Sequence, residues 1–273
     1  MNLRFLAIAA ILGAPAAACS TTPTPASVDP RDAGTGNVEA VEPAEPAEPS
    51  EQRIDAGDAA VVPEGPNPMP ECPRDPGPPT LTVDASSKTD PTGGAEKFTI
   101  EQALAGYPAV SGVLTTLIST EKSAIRCELA EAAAPISVAN FVGLARGTRP
   151  FKTAGKWKLG RFYDGLLWHR VIPDFMIQGG DPLGKGTGGP GYDLVDENHV
   201  EEPLGTLAMA ASSVPSGSQF FVVVGKGPAP NYNVFGSCST EAAIAIAAEP
   251  RDAKDKPLTD VHMTRIDIAR CPK

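Results

Sequence analysis

Residues 162–181 read FYDGLLWHRVIPDFMIQGGD. This stretch predicts two short apolar strands, joined at the turn pair Pro173-Asp174 and closed by two glycines. Arg170 stands inside the first strand and Gln178 inside the second, where apolar residues are expected. Polar groups buried in an apolar patch must find partners, so a hairpin that brings the two together indicates a binding site. An arginine that simply faces solvent is the alternative, and these residues alone leave both interpretations open.

The negative charge of the chain is concentrated in one segment. The 273 residues carry a net charge of −10, and residues 20–80 hold 12 acidic and 3 basic residues, a balance of −9. The remainder is near neutral and has no basic patch, which argues against nucleic acid as a partner. The length allows one sizeable domain with accessory segments.

The N-terminus has the pattern of an export signal. Residues 1–18 begin with a short polar and basic region, continue with the apolar run Phe5 to Leu12 and end in small residues. That run is too short to span a bilayer comfortably. Ala16-Ala17-Ala18-Cys19 resembles the lipobox of bacterial lipoproteins, in which the cysteine is lipidated, although a leucine is usual where Ala16 stands.

The residue after the cysteine bears on localisation. Ser20 resembles the residue found there in lipoproteins sorted to the outer membrane. The resemblance implies an exported chain that is anchored through lipidated Cys19 to the outer membrane and faces the periplasm. Ordinary secretion, with Cys19 lost or incidental, is the alternative.

Residues 19–80 are expected to form a disordered tether. Of the 29 prolines of the chain, 14 lie in residues 20–80, and this segment contains no aromatic residue. Such a composition cannot bury enough apolar surface to offset the entropy lost on ordering. We expect an N-terminal extension with a short helix over 81–112 and a folded domain over 113–273.

The folded part predicts many short strands and few helices. Helices are expected at Thr99–Leu104, Pro135–Gly147 and Glu241–Ala248, and the basic segment 149–161 is expected to be a loop. Besides the opening hairpin, strands are expected at Leu114–Thr120, Ser123–Leu129, Leu204–Ala210, Gln219–Val224, Val234–Cys238 and Val261–Ala269. This order predicts a mostly β protein with a closed or nearly closed barrel capped by helices.

The cysteine count is compatible with disulfides. If Cys19 carries lipid, an even number of cysteines remains for an exported protein: Cys72, Cys127, Cys238 and Cys271. Three pairings are open. We favour Cys127–Cys238 and Cys72–Cys271, because the first two lie in predicted strands and the other two flank the domain. Free buried cysteines are the alternative.

The opening hairpin and the blocks after it resemble one family, the cyclophilin-type peptidyl-prolyl cis-trans isomerases. The blocks keep the family order: Gly186-Thr187-Gly188-Gly189, Gly205 to Ala210, Gly217-Ser218-Gln219-Phe220-Phe221 and Val234-Phe235-Gly236. The resemblance covers roughly residues 113–271 and implies a closed eight-stranded antiparallel barrel with a helix at each end. It implies rotation about X-Pro bonds in exported proteins, assisting their folding, by a monomer that needs no cofactor and no metal.

The resemblance also implies roles for single residues. Arg170 matches the catalytic arginine. Phe175, Met176 and Phe221 match the walls of the proline pocket, and Gln178 and Gln219 match the polar groups beside it. Ala210 matches a residue whose backbone contacts the bound peptide. His169 matches a residue that lines the same face, and Tyr232 falls where many members have a histidine or a tyrosine. The segment 225–233 is shorter than usual and rich in proline, and the run after Met209 is also shortened. No tryptophan matches the position associated with cyclosporin binding, so we expect weak cyclosporin affinity.

Two other functions compete with isomerisation. The shortened loops favour a non-catalytic domain that binds proline-containing peptides, whereas the retained Arg170, Phe175, Gln178 and Phe221 favour the enzyme. A metal hydrolase is excluded, because the three histidines are far apart in sequence and lack zinc-type spacing. The acidic residues Asp193, Asp196, Glu197, Glu201 and Glu202 are expected to form a solvated loop.

Overall fold

The computed structural model describes residues 68–272. The predicted export signal, Cys19 and most of the predicted tether lie outside the described residues. The strands are β1 (Val113–Thr120), β2 (Ala124–Leu129), β3 (Phe151–Thr153), β4 (Lys156–Lys158), β5 (Leu166–Leu167), β6 (Arg170–Ile172), β7 (Met176–Gly179), β8 (Thr206–Ala211), β9 (Pro215–Val223), β10 (Val234–Cys238) and β11 (His262–Cys271). The helices are α1 (Ile100–Ala103), α2 (Pro135–Arg146) and α3 (Glu241–Ala247), with a short 3-10 helix at Ala95–Lys97. Across residues 68–272, no helix combines the length and the apolar character needed to cross a membrane.

One antiparallel sheet dominates the fold, which confirms the mostly β prediction. Its nine strands follow the order β5-β11-β1-β2-β10-β8-β9-β7-β6, and β3 pairs only with β4. The expected eight strands become nine because the Trp168-His169 link separates β5 from β6. Within residues 68–272 no backbone ladder joins these two edge strands, so hydrogen bonds do not close the barrel. The two-residue link nevertheless holds the edges close together, since the chain spans at most about 3.5 Å per residue.

Helix α2 packs against the inner face of the curled sheet. The ring of Phe141 lies 5.3–5.4 Å from the rings of Tyr163, Phe220 and Phe235. Pro135 occupies the first turn and Gly147, at φ 86°, ends the helix in the left-handed region, as the sequence predicts.

The start of α2 is capped from a distant loop. Ala134 offers no side-chain cap. Instead the carboxylate of Glu197 accepts hydrogen bonds from the backbone N–H groups of Ile136 at 2.6 Å and Ser137 at 2.7 Å. A carboxylate there satisfies helix donors that would otherwise lack partners and complements the helix dipole. The expectation of a solvated acidic loop is therefore wrong for Glu197.

The described residues before the barrel form a strap, residues 68–112, that packs on it. The sequence assigns 68–80 to the tether, but Met69 and Cys72 are buried against Ala269 and Cys271. Both favoured disulfides are confirmed, Cys72–Cys271 and Cys127–Cys238. The first ties the strap to the last strand, so the ordered part starts earlier than composition indicates.

Two buried arginines after and within α2 hold the strap further. Arg146 donates to both carboxylate oxygens of Asp75 at 2.8 Å, a bidentate pair. Arg149 lies between the rings of Phe98 and Tyr192, and one of its terminal nitrogens lies 3.2 Å from Asp90. The segment 149–161, expected to be a loop, contains the β3–β4 hairpin.

Candidate active site

The pairing of four adjacent strands sets the candidate site. Across the ladder, Arg170 lies opposite Gln178, Gln178 opposite Phe221, and Phe221 opposite Ala208. Directly opposed residues place their Cβ atoms about 4.5–5.5 Å apart on the same face of a sheet. These four side chains therefore form one continuous row, which we call the site row.

The neighbouring row of the same strands fixes which face the site row occupies. Val171, Ile177, Val222 and Leu207 oppose one another in the same ladders, and all four are fully buried in the core around α2. Side chains alternate between the faces of a strand. The site row consequently lies on the outer face of the sheet.

A cluster of apolar side chains lies on this part of the outer face, and we call it the groove. Its buried members are Met176, Ala208, Phe221 and Val223, and its partly buried members are Ile172, Phe175, Ala210, Tyr232 and Val234. The rings of Phe221 and Tyr232 lie 5.1 Å apart in an edge-to-face arrangement. Tyr232 thus closes one side of the groove although its loop departs from the family pattern.

The polar side of the groove is a short hydrogen-bond chain. The amide nitrogen of Gln178 donates to the side-chain oxygen of Gln219 at 3.0 Å, and Gln219 donates to the carbonyl of Gly188 at 2.8 Å. Ala210 lies where the register between β8 and β9 shifts and has no partner in that ladder. Four residues of β9, 216–219, lie opposite this single residue of β8, so the extra residues of the irregularity belong to β9.

Arg170 places a positive charge beside the groove on the outer face of the sheet. Its side chain is 42% exposed, and its Nε lies 3.6 Å from an oxygen of Asp255. That distance is an ion pair and exceeds a hydrogen bond. No other side chain in residues 68–272 pairs with Arg170. Asp255 lies 85 positions further along the chain, so no sequence motif connects the two.

His169, predicted to line the same face as Arg170, is buried, and its contact with substrate stays a prediction. It lies in the link between β5 and β6, one position before Arg170, and only 6% of it is exposed. Neither of its ring nitrogens has a hydrogen-bond partner among the described residues. Burial lowers the pKa of His169, and the charge of Asp181 offsets part of that shift. Burial thus favours the neutral form of its ring.

The glycine-rich loop beside the groove is shaped by one buried carboxylate. Asp181 accepts hydrogen bonds from the backbone N–H groups of Leu183, Lys185, Gly186 and Thr187 at 2.5–3.0 Å. Burial alone would raise the pKa of Asp181, but these backbone donors keep it below its usual value. The loop in turn presents the Gly188 carbonyl to Gln219.

Comparison with known proteins agrees with this geometry. Residues 115–268 match the family of cyclophilin type peptidyl-prolyl cis-trans isomerases/CLD. Peptidyl-prolyl cis-trans isomerase A of Mycobacterium tuberculosis (strain ATCC 25618 / H37Rv) is 43% identical over 167 residues, which cover 57% of this chain and 92% of that protein. Peptidyl-prolyl cis-trans isomerase B of Streptomyces anulatus is 44% identical over 162 residues, covering 54% of this chain and 92% of that protein.

A solved structure is also similar. The crystal structure of a cyclophilin type peptidyl-prolyl cis-trans isomerase from Cryptosporidium parvum gives a TM-score of 0.50 at 27% identity and covers 59% of this chain and 99% of that chain. The chain belongs to the cyclophilin family. It is a peptidyl-prolyl cis-trans isomerase, an enzyme that rotates the peptide bond before proline.

The sequence gives no signal that the carboxyl group of Glu202, beside the cyclophilin groove, is buried. Glu202 is only 5% exposed, and no side chain of residues 68–272 hydrogen-bonds to its carboxyl group. A Cβ atom at Gly227, in the loop that carries Tyr232, would lie 3.2 Å from its Cβ. Burial raises the pKa of Glu202 to about 7, and the backbone of Tyr232 offsets part of that rise. The expectation of a solvated side chain is therefore wrong for Glu202 as well.

This carboxyl group predicts a pH-dependent stability. Its pKa is about 7 in the folded chain against 4.5 as the ordinary value, so between these pH values the folded state holds the extra proton. Stability is therefore lost as the pH rises from 4.5 to 7, by on the order of 1–3 kcal/mol, and stays low above 7. We expect Glu202→Gln to remove this loss and to be more stable than the wild type at pH 8.

Urea unfolding at pH 5 and pH 8 measures the effect as a difference between the two proteins. Glu201→Gln, at an exposed neighbouring position, serves as the matched control and should keep the wild-type dependence. An unchanged pH dependence in Glu202→Gln would show that Glu202 is not the titrating group.

Proposed function

We propose that Arg170 is the catalytic residue and that the proline ring of the substrate packs in the groove beside it. The observation that carries this proposal is the site row, in which one charged side chain borders an otherwise apolar surface. Phe221, Met176 and Phe175 offer the apolar contacts for the ring. Gln178, Gln219 and the backbone of Ala210 would offer the polar contacts that an extended peptide requires.

The chemistry needs no nucleophile and no proton transfer. Rotation about a peptide bond meets a barrier of about 20 kcal/mol because the planar amide is stabilised by resonance. In the twisted state the nitrogen carries a lone pair and the carbonyl loses conjugation. The guanidinium of Arg170 is permanently charged and presents fixed donors, so it stabilises this state by hydrogen bonding to the proline nitrogen or to the adjacent carbonyl.

One hydrogen bond does not account for the whole acceleration. A charge-assisted hydrogen bond contributes about 2 kcal/mol, which corresponds to about a 30-fold change in rate. Only interactions that strengthen in the twisted state accelerate the reaction. The remainder must come from gripping the proline ring while the other end of the bond rotates.

The substrates we propose are proline-containing segments of exported proteins. Support comes from the export-signal pattern of residues 1–18 and from the two disulfides, which are typical of oxidising compartments. Lipidated Cys19 would anchor the chain to the outer membrane on its periplasmic side. We also propose that the chain acts as a monomer.

The catalytic role of Arg170 predicts a loss of activity on truncation. In an isomerisation assay with an Ala-Pro peptide, the full-length chain should exceed the uncatalysed rate. Arg170→Ala should lower kcat/KM by about 10- to 100-fold. Arg265→Ala is the matched control, since Arg265 pairs with Asp267 outside the groove. Full activity in Arg170→Ala would refute the role of this residue, and a wild type without activity would instead support a binding domain.

The lipoprotein proposal predicts a specific mass for the N-terminal peptide. After expression in a bacterium that processes lipoproteins, the mature chain should begin at Cys19 and carry a covalent lipid. Mass spectrometry of that peptide measures both features. A Cys19→Ser variant should lose the lipid and leave the membrane fraction. An unmodified Cys19 still joined to residues 1–18 would contradict the proposal.

A further inference from the structure

We propose that Asp255 is a positioning residue, whose carboxylate holds the Arg170 guanidinium at Nε and leaves its terminal nitrogens for the substrate. The inference rests on the proposed catalytic role of Arg170. The structure gives one contact between the two side chains, from Nε of Arg170 to Oδ2 of Asp255 at 3.6 Å. The terminal nitrogens of Arg170 have no hydrogen-bond partner elsewhere in residues 68–272.

The backbone of Asp255 is fixed directly to the strand that carries Arg170. The N–H of Val171, the next residue after Arg170, donates to the carbonyl oxygen of Asp255 at 2.8 Å. This bond lies at the outer edge of the sheet, where β6 has no further strand beside it. The loop of Asp255 therefore takes the place of a neighbouring strand and brings its carboxylate alongside the arginine.

The loop itself, residues 250–258, is held by its own hydrogen bonds. The carboxylate of Asp252 accepts from the backbone N–H groups of Lys254 at 2.8 Å and Lys256 at 2.9 Å. At the base of the loop, Leu258 N–H donates to the carbonyl of Pro250 at 2.8 Å. A loop closed in this way presents Asp255 from a defined position.

Asp255 has an uncommon backbone conformation. Its φ of 63° lies in the left-handed region, which few residues other than glycine adopt and which aspartate tolerates better than most. A second cation, the Nε of Arg251, lies 3.4 Å from the other carboxylate oxygen. The carboxylate thus lies between two arginines, one of which borders the groove.

The Arg170–Asp255 ion pair is suited to orienting the arginine side chain more than to stabilising the fold. Both side chains are more than one-third exposed, and exposed ion pairs contribute little to folding. An arginine side chain has many rotamers, however, and a catalytic group is effective only when it is held near its working position. We therefore expect the loss of Asp255 to reduce turnover and to leave the folded structure intact.

The test compares kcat and KM of the full-length chain with those of Asp255→Asn and Asp255→Glu. We expect Asp255→Asn to lower kcat by about 3- to 10-fold with little change in KM and thermal midpoint, and Asp255→Glu to recover part of the loss. Asp260→Asn removes an exposed carboxylate that pairs with Lys256, and it should leave activity unchanged.

Two further measurements separate orientation from other roles. In the Arg170→Ala background, Asp255→Asn should have no additional effect on kcat. The NMR signal of the Arg170 Nε–H group should broaden in Asp255→Asn, because the side chain gains rotamers. An equal loss of kcat in both backgrounds would overturn the proposal and assign the effect to the loop backbone.

The remaining outcomes are also decisive. An increase in kcat for Asp255→Asn would show that the carboxylate weakens the charge of Arg170, and unchanged kinetics would show that the pair is incidental. Either result overturns the positioning role alone, provided that Arg170→Ala is impaired. If Arg170→Ala keeps full activity, the proposed function fails first and the role of Asp255 fails with it.

Discussion

The register of β6, β7, β9 and β8 is the constraint on which the site depends. Val171, Ile177 and Val222 are fully buried against the core, so the alternate residues of the same strands must face outward. A slip of one residue would move the Arg170 guanidinium from the outer face into the apolar core. Core packing therefore fixes the row of Arg170, Gln178 and Phe221, and with it the proposed catalytic face.

The strap adds a second layer of constraint behind the groove. Arg149 is fully buried and donates to the hydroxyl of Tyr192 at 2.6 Å, and this hydroxyl donates to Asn140 at 3.1 Å. Asn140 in turn binds the carbonyl of Gly217 at 2.8 Å, two positions before Gln219. These hydrogen bonds connect Arg149, whose ring and ion-pair contacts hold the strap, to the strand that carries Gln219. The strap thus contributes to the same body of structure that carries the site.

Local patterns were sufficient for a large part of this architecture. Proline and glycine bounded α2, the capping pair Thr99 and Gln102 marked α1, and the two disulfides follow the favoured pairing. Arg170, Gln178 and Phe221 were predicted as neighbours from the hairpin and its family resemblance. The helix ends depend on short-range sequence and the site residues on family motifs, which a single chain displays directly. The disulfide pairing instead followed from the places of the four cysteines among the predicted strands.

The features that sequence missed depend on contacts between distant segments. Glu197 and Glu202 belong to one acidic run, yet one caps α2 and the other is buried behind Tyr232. From its composition, the segment 68–80 was expected to belong to the tether, because composition carries no information on the partners of Cys72 and Asp75 in the barrel. Asp255 has no motif of its own, and only the fold of its loop brings it to Arg170.

The central claim is that the outer groove beside Arg170 binds the proline of the substrate and the residue before it. The most direct measurement is a structure of the full-length chain in complex with an Ala-Pro peptide. The account predicts the proline ring against Phe221 and Met176, with the preceding carbonyl or the proline nitrogen within hydrogen-bonding distance of the Arg170 guanidinium. A peptide bound at another face of the sheet, or one whose proline lies away from Phe221, would contradict it.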